Sequence, residues 1–157
     1  MRIEGTDPRP EVVEDLLRGL PEWFGIEEAV TDYVTRSAAL PTYTASLDGG
    51  PVGVLVLEQH SDAVAEMYVL AVDRSAHRRG IGRALVAAAE ADLARAGTAY
   101  LQVKTLGPSH PSPEYAATRD FYTALGYHGL EELPADTLWP GNPCLLLVKH
   151  LRCGADA

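Results

Sequence analysis

The segment that most constrains this chain is residues 63–72, AVAEMYVLAV, which is apolar at successive positions rather than at alternate ones. A strand with aliphatic side chains on both faces needs helices on both sides, so the expected fold is α/β, a mixed central sheet flanked by helices. Glu66 is the only charge in the run. Residues 73–97 follow as DRSAHRRGIGRALVAAAEADLARAG. Beyond the glycines, Ile81, Leu85, Ala89 and Leu93 recur at helical spacing, and Gly97 stops the helix.

The rest of the chain reads around this strand-turn-helix unit. Residues 2–5 suit a short strand. Pro10 opens a helix whose stripe is Val12, Val13, Leu16, Leu17 and Leu20, closed by Pro21. Ile26, Ala29, Val30, Tyr33 and Val34 mark a second helix. Residues 41–47 and 52–57 are strands joined through Asp48-Gly49-Gly50, and residues 98–104 are another. Ser112-Pro113-Glu114 supplies an N-cap, a first-turn proline and a first-turn acid for a helix carrying Thr118, Phe121, Tyr122 and Leu125 on one face. Gly126 ends it, and residues 127–132 and 144–149 close the chain as strands. With no repeat or linker, residues 1–157 are expected to form one domain.

A formal net charge of −9 argues against a nucleic-acid binder, which needs a broad cationic face. It is compatible with a cationic acceptor such as a polyamine, a sugar amine or a lysine, although most acidic proteins are simply soluble. Cys144 and Cys153 lack metal-ligand spacing, and Cys144 in the run CLLLV reads as a core residue. No apolar run approaches the ~18 residues of a membrane span, and the first residues do not begin a signal peptide. The expectation is a protein of the reducing cytoplasm with no membrane partner and no metal.

The strongest chemical signal is His77-Arg78-Arg79-Gly80-Ile81-Gly82-Arg83, between the buried strand and the helix. Glycines let backbone approach a ligand, and the first N–H groups of a helix are unpaired and carry the positive end of its dipole. Phosphate is the expected guest. Arg74, Arg78, Arg79 and Arg83 gather there against an acidic background. The competing reading is a glycine-containing helix entry with a solvated basic face. Neither the dinucleotide fingerprint nor the P-loop fits.

The segment AEMYVLAVDRSAHRRGIGRALV resembles the coenzyme-binding motif of the GCN5-related N-acetyltransferases, the GNAT family: a strand, Arg/Gln-x-x-Gly-x-Gly/Ala, then a helix. Downstream, TRDFYTALGYHGLEE resembles that family's second motif, Phe-Tyr on a helix followed by Gly-Tyr/Phe and a strand. The two motifs occur in the family's order and span roughly residues 63–133.

The resemblance implies the GNAT fold, with acetyl-CoA as co-substrate and a primary amine of a small molecule or peptide as acceptor. It assigns pyrophosphate contacts to the backbone of Arg78, Arg79, Gly80, Ile81, Gly82 and Arg83. His77 replaces the motif's Arg or Gln, and its backbone N–H remains a donor. The pantetheine arm would pair near Leu70 and Val72. Tyr122 matches the family tyrosine placed near the coenzyme sulfur as a proton donor; by spacing alone it is a core aromatic. Tyr115 stands where many relatives carry a pantetheine-binding asparagine, so either its hydroxyl substitutes or the contact is missing.

Glu66 is the candidate general base, with a pKa expected to be raised by its apolar strand. The alternative is a strand-end glutamate that reaches solvent or pairs with an arginine. On the acceptor side, Trp23, Phe24, Tyr33 and Trp139 would form an aromatic wall, or else serve as core residues. Direct attack in a ternary complex, without an acyl-enzyme, is the expected chemistry. The rival is a non-catalytic GNAT-like module that senses acyl-CoA or docks a protein. The resemblance also allows a homodimer through the last strands.

Overall fold

In the computed structural model, residues 1–151 are described; Cys153 lies outside them. The elements are β1 (Arg2–Glu4), α1 (Pro10–Arg18), α2 (Glu27–Ser37), β2 (Thr42–Leu47), β3 (Gly50–Gln59) and β4 (Val64–Val72). A 3-10 turn (Arg74–Ala76) leads into α3 (Ile81–Arg95), then β5 (Tyr100–Leu106), α4 (Pro113–Ala124), β6 (His128–Leu133) and β7 (Cys144–His150). The strands form one sheet in the order β1-β2-β3-β4-β5-β7-β6, in which only the β4–β5 pair is parallel.

The doubly apolar run is the middle of this sheet, covered on both faces. Leu55, Leu57, Ala65, Met67 and Leu101 pack with the Ile81, Leu85, Ala89 and Leu93 stripe of α3 and with Tyr122 of α4. Val54, Val56, Val69 and Ala71 pack on the other face with Val12, Val13, Leu16 and Leu17 of α1 and Val30 of α2. In an unbroken strand, Met67 and Val69 would share a face. They do not, because Leu57 pairs with Met67 and Val56 with Val69, leaving Tyr68 as the extra residue of a bulge.

The helix limits differ from the sequence reading in two places. Gly19 caps α1 at Arg18, and Leu20 is buried in the turn beyond it. Ile26 is 57% exposed and precedes α2 rather than joining its buried stripe. The start of α4 is as expected, with the Ser112 hydroxyl accepting the Tyr115 N–H at 3.3 Å. No described helix is long and apolar enough to cross a membrane.

Candidate active site

The β4–β5 ladder runs only from Val64–Tyr100 to Met67–Val103, yet β4 continues to Val72 and β5 to Leu106. Beyond the bulge at Tyr68 the two strands part and a gap opens between their edges. The Asp73 N–H donates to the Val52 carbonyl at 2.8 Å, so antiparallel alternation turns the backbone of Val69 and Ala71 toward β3. The backbone of Leu70 and Val72 therefore faces the gap. The Val72 carbonyl is already engaged, 2.7 Å from Nε2 of His77.

The glycine turn lies just past the end of β4. Gly80, at φ 77°, precedes α3, and a Cβ there would meet nothing within 4 Å; its glycine serves the left-handed backbone. Gly82 differs. A Cβ there would lie 3.2 Å from the Phe121 ring and 3.8 Å from the Val72 side chain, so glycine lets α3 seat against α4. One glycine thus sets the conformation of the turn and the other sets the packing of α3. No side chain caps the N-terminus of α3. Arg78, Arg79 and Arg83 are exposed, with no ion pair or hydrogen bond among the described residues. Every other described lysine or arginine is bonded to a carboxylate or, for Arg119, to the Leu106 carbonyl. Arg74 belongs to this paired set, through Glu22. Among the described residues the uncompensated positive charge is thus confined to one helix entry, an arrangement suited to an anion.

Tyr122 projects from α4 and is 5% exposed, its ring edge-on to Phe121 and Tyr127. Burial pushes its phenol well above the ordinary value, and the hydroxyl has no hydrogen bond among the described residues. Glu66, 4% exposed, receives Lys104 Nζ and Gln102 Nε2 on Oε1, each at 2.8 Å, with His60 Nε2 at 3.4 Å from the same oxygen. Oε2 has no partner among the described residues. Burial acts to raise this carboxyl, but the bonds from Lys104, Gln102 and His60 outweigh it and hold the pKa below its ordinary value. The expected rise is therefore overturned by the neighbouring ammonium. Glu58, His60 and Glu66 lie close enough together to resemble a metal cluster, but Lys104 and Arg36 already serve the two carboxylates.

The model of the acetyltransferase (GNAT) domain matches residues 39–129, more than half of the chain. The chain belongs to the GNAT acetyltransferase family. No curated protein matches it in sequence. Among solved structures, an aminoglycoside 6'-N-acetyltransferase complexed with coenzyme A is 20% identical with a TM-score of 0.77, over 99% of this chain and 100% of that one. An aminoglycoside 6'-acetyltransferase type Ii is 25% identical with a TM-score of 0.71, over 97% and 98%. A GNAT family acetyltransferase from Elizabethkingia anophelis with acetyl-CoA bound is 18% identical with a TM-score of 0.70, over 96% and 97%. They share the mixed sheet and its flanking helices.

In this GNAT domain the aromatic wall is only partly assembled. Phe24 meets Tyr33 edge-on at 5.9 Å, and Tyr33 lies 5.2 Å from Tyr68 of the bulge. Burial pushes the Tyr33 phenol up to about 12. Trp23 turns away from that wall: its ring packs on His77 at 5.8 Å, and Nε1–H donates to the Thr118 hydroxyl at 3.1 Å. Trp139 sits in the β6–β7 loop with its backbone bridged to Asn142, and no ring contact joins it to the wall. The Tyr115 hydroxyl donates to the Trp23 carbonyl at 2.6 Å, so its proton is spent on the α1–α2 junction and only its lone pairs remain for a pantetheine N–H. Sequence reasoning missed Lys104, Gln102, His60 and Tyr68. The first two alternate along β5, but their meeting with Glu66 depends on the parallel register of β4 and β5, which no local pattern specifies.

Proposed function

We propose that this GNAT domain transfers an acetyl group from acetyl-CoA to a primary amine of a cationic small molecule or peptide, by direct attack in a ternary complex. The observation that carries the reading is the abrupt end of the β4–β5 ladder beside a helix entry whose three arginine side chains have no partner among the described residues. A phosphate-bearing thioester with a long amide arm matches both features: an anion seat on Arg78, Arg79 and the first N–H groups of α3, then a strand-like slot along Leu70 and the N–H of Val72.

The amine nitrogen attacks the thioester carbonyl, the C–S bond breaks, and the amine loses a proton. Glu66 serves as anchor rather than as a strong base. An alkylammonium has a pKa near about 10, far above a depressed carboxyl, so direct transfer to Glu66 is uphill. Its free Oε2 accepts an N–H of the acceptor, Lys104 favours the neutral amine, and water carries the proton away. A thiolate of pKa about 8.5 is a weaker base than the Tyr122 phenolate, so Tyr122 steadies the departing sulfur by hydrogen bonding rather than by full proton transfer.

Near Tyr68 and the gap, Asp32, Glu58 and Glu66 outnumber Arg36 and Lys104, which pair with the last two, and this leaves a small negative balance on the acceptor side. A cationic acceptor also agrees with the aminoglycoside acetyltransferases among the similar structures. The test is coenzyme A thiol release from acetyl-CoA over a panel of polyamines, aminoglycosides, amino acids and peptide N-termini. At least one cationic primary amine should accelerate release well above the amine-free rate. Acetyl-CoA binding with no acceleration by any amine would overturn the acceptor class.

A further inference from the structure

We propose that the His77 side chain is a positioning residue that fixes the coenzyme turn to the mouth of the β4–β5 gap; this rests on the coenzyme reading above. The Val72 carbonyl can only accept, so Nε2 of His77 carries the proton in its 2.7 Å bond. On its other side the imidazole packs against the Trp23 indole, centroids 5.8 Å apart and nearly perpendicular. Trp23 is itself held at both ends, its indole N–H on the Thr118 hydroxyl at 3.1 Å and its carbonyl under the Tyr115 hydroxyl at 2.6 Å. The preceding residue, Glu22, is ion-paired with Arg74 on the 3-10 turn. The ring is thus clasped between the last residue of β4 and a junction anchored on α4.

The turn needs such a clasp. Arg78 takes φ 61° and Gly80 φ 77°, and a non-glycine residue in the left-handed region costs about 1 kcal/mol. The side chains of Arg78, Arg79 and Arg83 make no ion pair or hydrogen bond among the described residues. His77 Nε2 supplies the turn's side-chain bond to a gap-facing strand carbonyl. That bond sets the separation between the seat for the pyrophosphate and the slot for the pantetheine, so a single rigid ligand can satisfy both. Preorganisation of this kind appears as affinity without any contact from the imidazole to the ligand.

The experiment is calorimetric titration of acetyl-CoA into the wild type, His77→Phe and His77→Gln, with melting of each ligand-free protein. Phenylalanine keeps a ring against Trp23 but donates nothing, whereas glutamine restores an N–H donor. His77→Phe should bind about tenfold more weakly, the effect of one lost hydrogen bond. His77→Gln should recover to within about threefold, again on the scale of one bond. A wild type that does not bind acetyl-CoA defeats the underlying coenzyme reading. A wild type that binds, with His77→Phe equal to it, defeats this proposal alone. The proposal also fails if His77→Gln binds as weakly as His77→Phe, or if both melt early and bind in proportion to the folded fraction.

Discussion

Replacing Lys104 by methionine would test the electrostatics of the site through stability. Lys104 Nζ lies 2.8 Å from Glu66, whose side chain is only 6% exposed, while that of Lys104 is 31% exposed. Breaking a buried pair costs about 3–5 kcal/mol, and the partial exposure of Lys104 together with the remaining Gln102 bond reduces this to about 2 kcal/mol. The pH dependence is more diagnostic. In the wild type Glu66 is held below its unfolded value, so its contribution is present above that unfolded pKa and lost as pH falls through the folded one. In the variant, burial dominates and the folded pKa is raised; the stability that protonation supplies is present at low pH and lost as pH rises through the folded value. The stability gap between the two proteins should therefore be largest near about pH 7 and narrow toward about pH 5. Urea unfolding across that range measures it. A gap that is absent at neutral pH, or that widens on acidification, would refute the reasoning.

Tyr122→Phe removes a hydroxyl with no hydrogen bond among the described residues, so melting should be unchanged while acetyl transfer falls about 100-fold at unaltered acetyl-CoA affinity; equal turnover excludes the hydroxyl from the chemistry. Gly82→Ala should lower stability by about 1 kcal/mol through the Phe121 ring, read by urea unfolding, with an unchanged midpoint counting against the packing role. Changing Arg78, Arg79 and Arg83 together to serine should weaken acetyl-CoA binding and flatten its salt dependence, whereas an undiminished salt slope would place the phosphates elsewhere. With a simple alkylamine acceptor, kcat/KM should climb with pH from about 6.5 toward about 9, because the amine and not Glu66 sets the proton requirement. A plateau below neutrality would restore Glu66 as the base.

The sequence carried the architecture because residues 63–72 are apolar on both faces, a pattern that suits the middle of a helix-covered sheet. Ser112, Pro113 and Gly97 announced helix limits through chemistry local to each. What stayed hidden depends on distant partners. The bulge at Tyr68 inserts one residue into an apolar strand without altering any period, yet it turns Val69 and Ala71 to the opposite face and opens the gap. Glu66 was visible as a lone charge, but the direction of its pKa was not, since Lys104 arrives from β5. Trp23 and Tyr115, each read as either a ligand contact or not, bond across the α1–α2 junction instead, the Trp23 indole to Thr118 of α4 and the Tyr115 hydroxyl to the Trp23 carbonyl. An aromatic at a helix junction carries no local mark of which side it will face.

A crystal structure with acetyl-CoA tests the central claim most directly. The pyrophosphate should rest on the backbone N–H groups at the start of α3, flanked by Arg78, Arg79 and Arg83, with the thioester in the gap between β4 and β5 near Tyr122. A coenzyme seated elsewhere, with that helix entry bare and the gap closed, would contradict it.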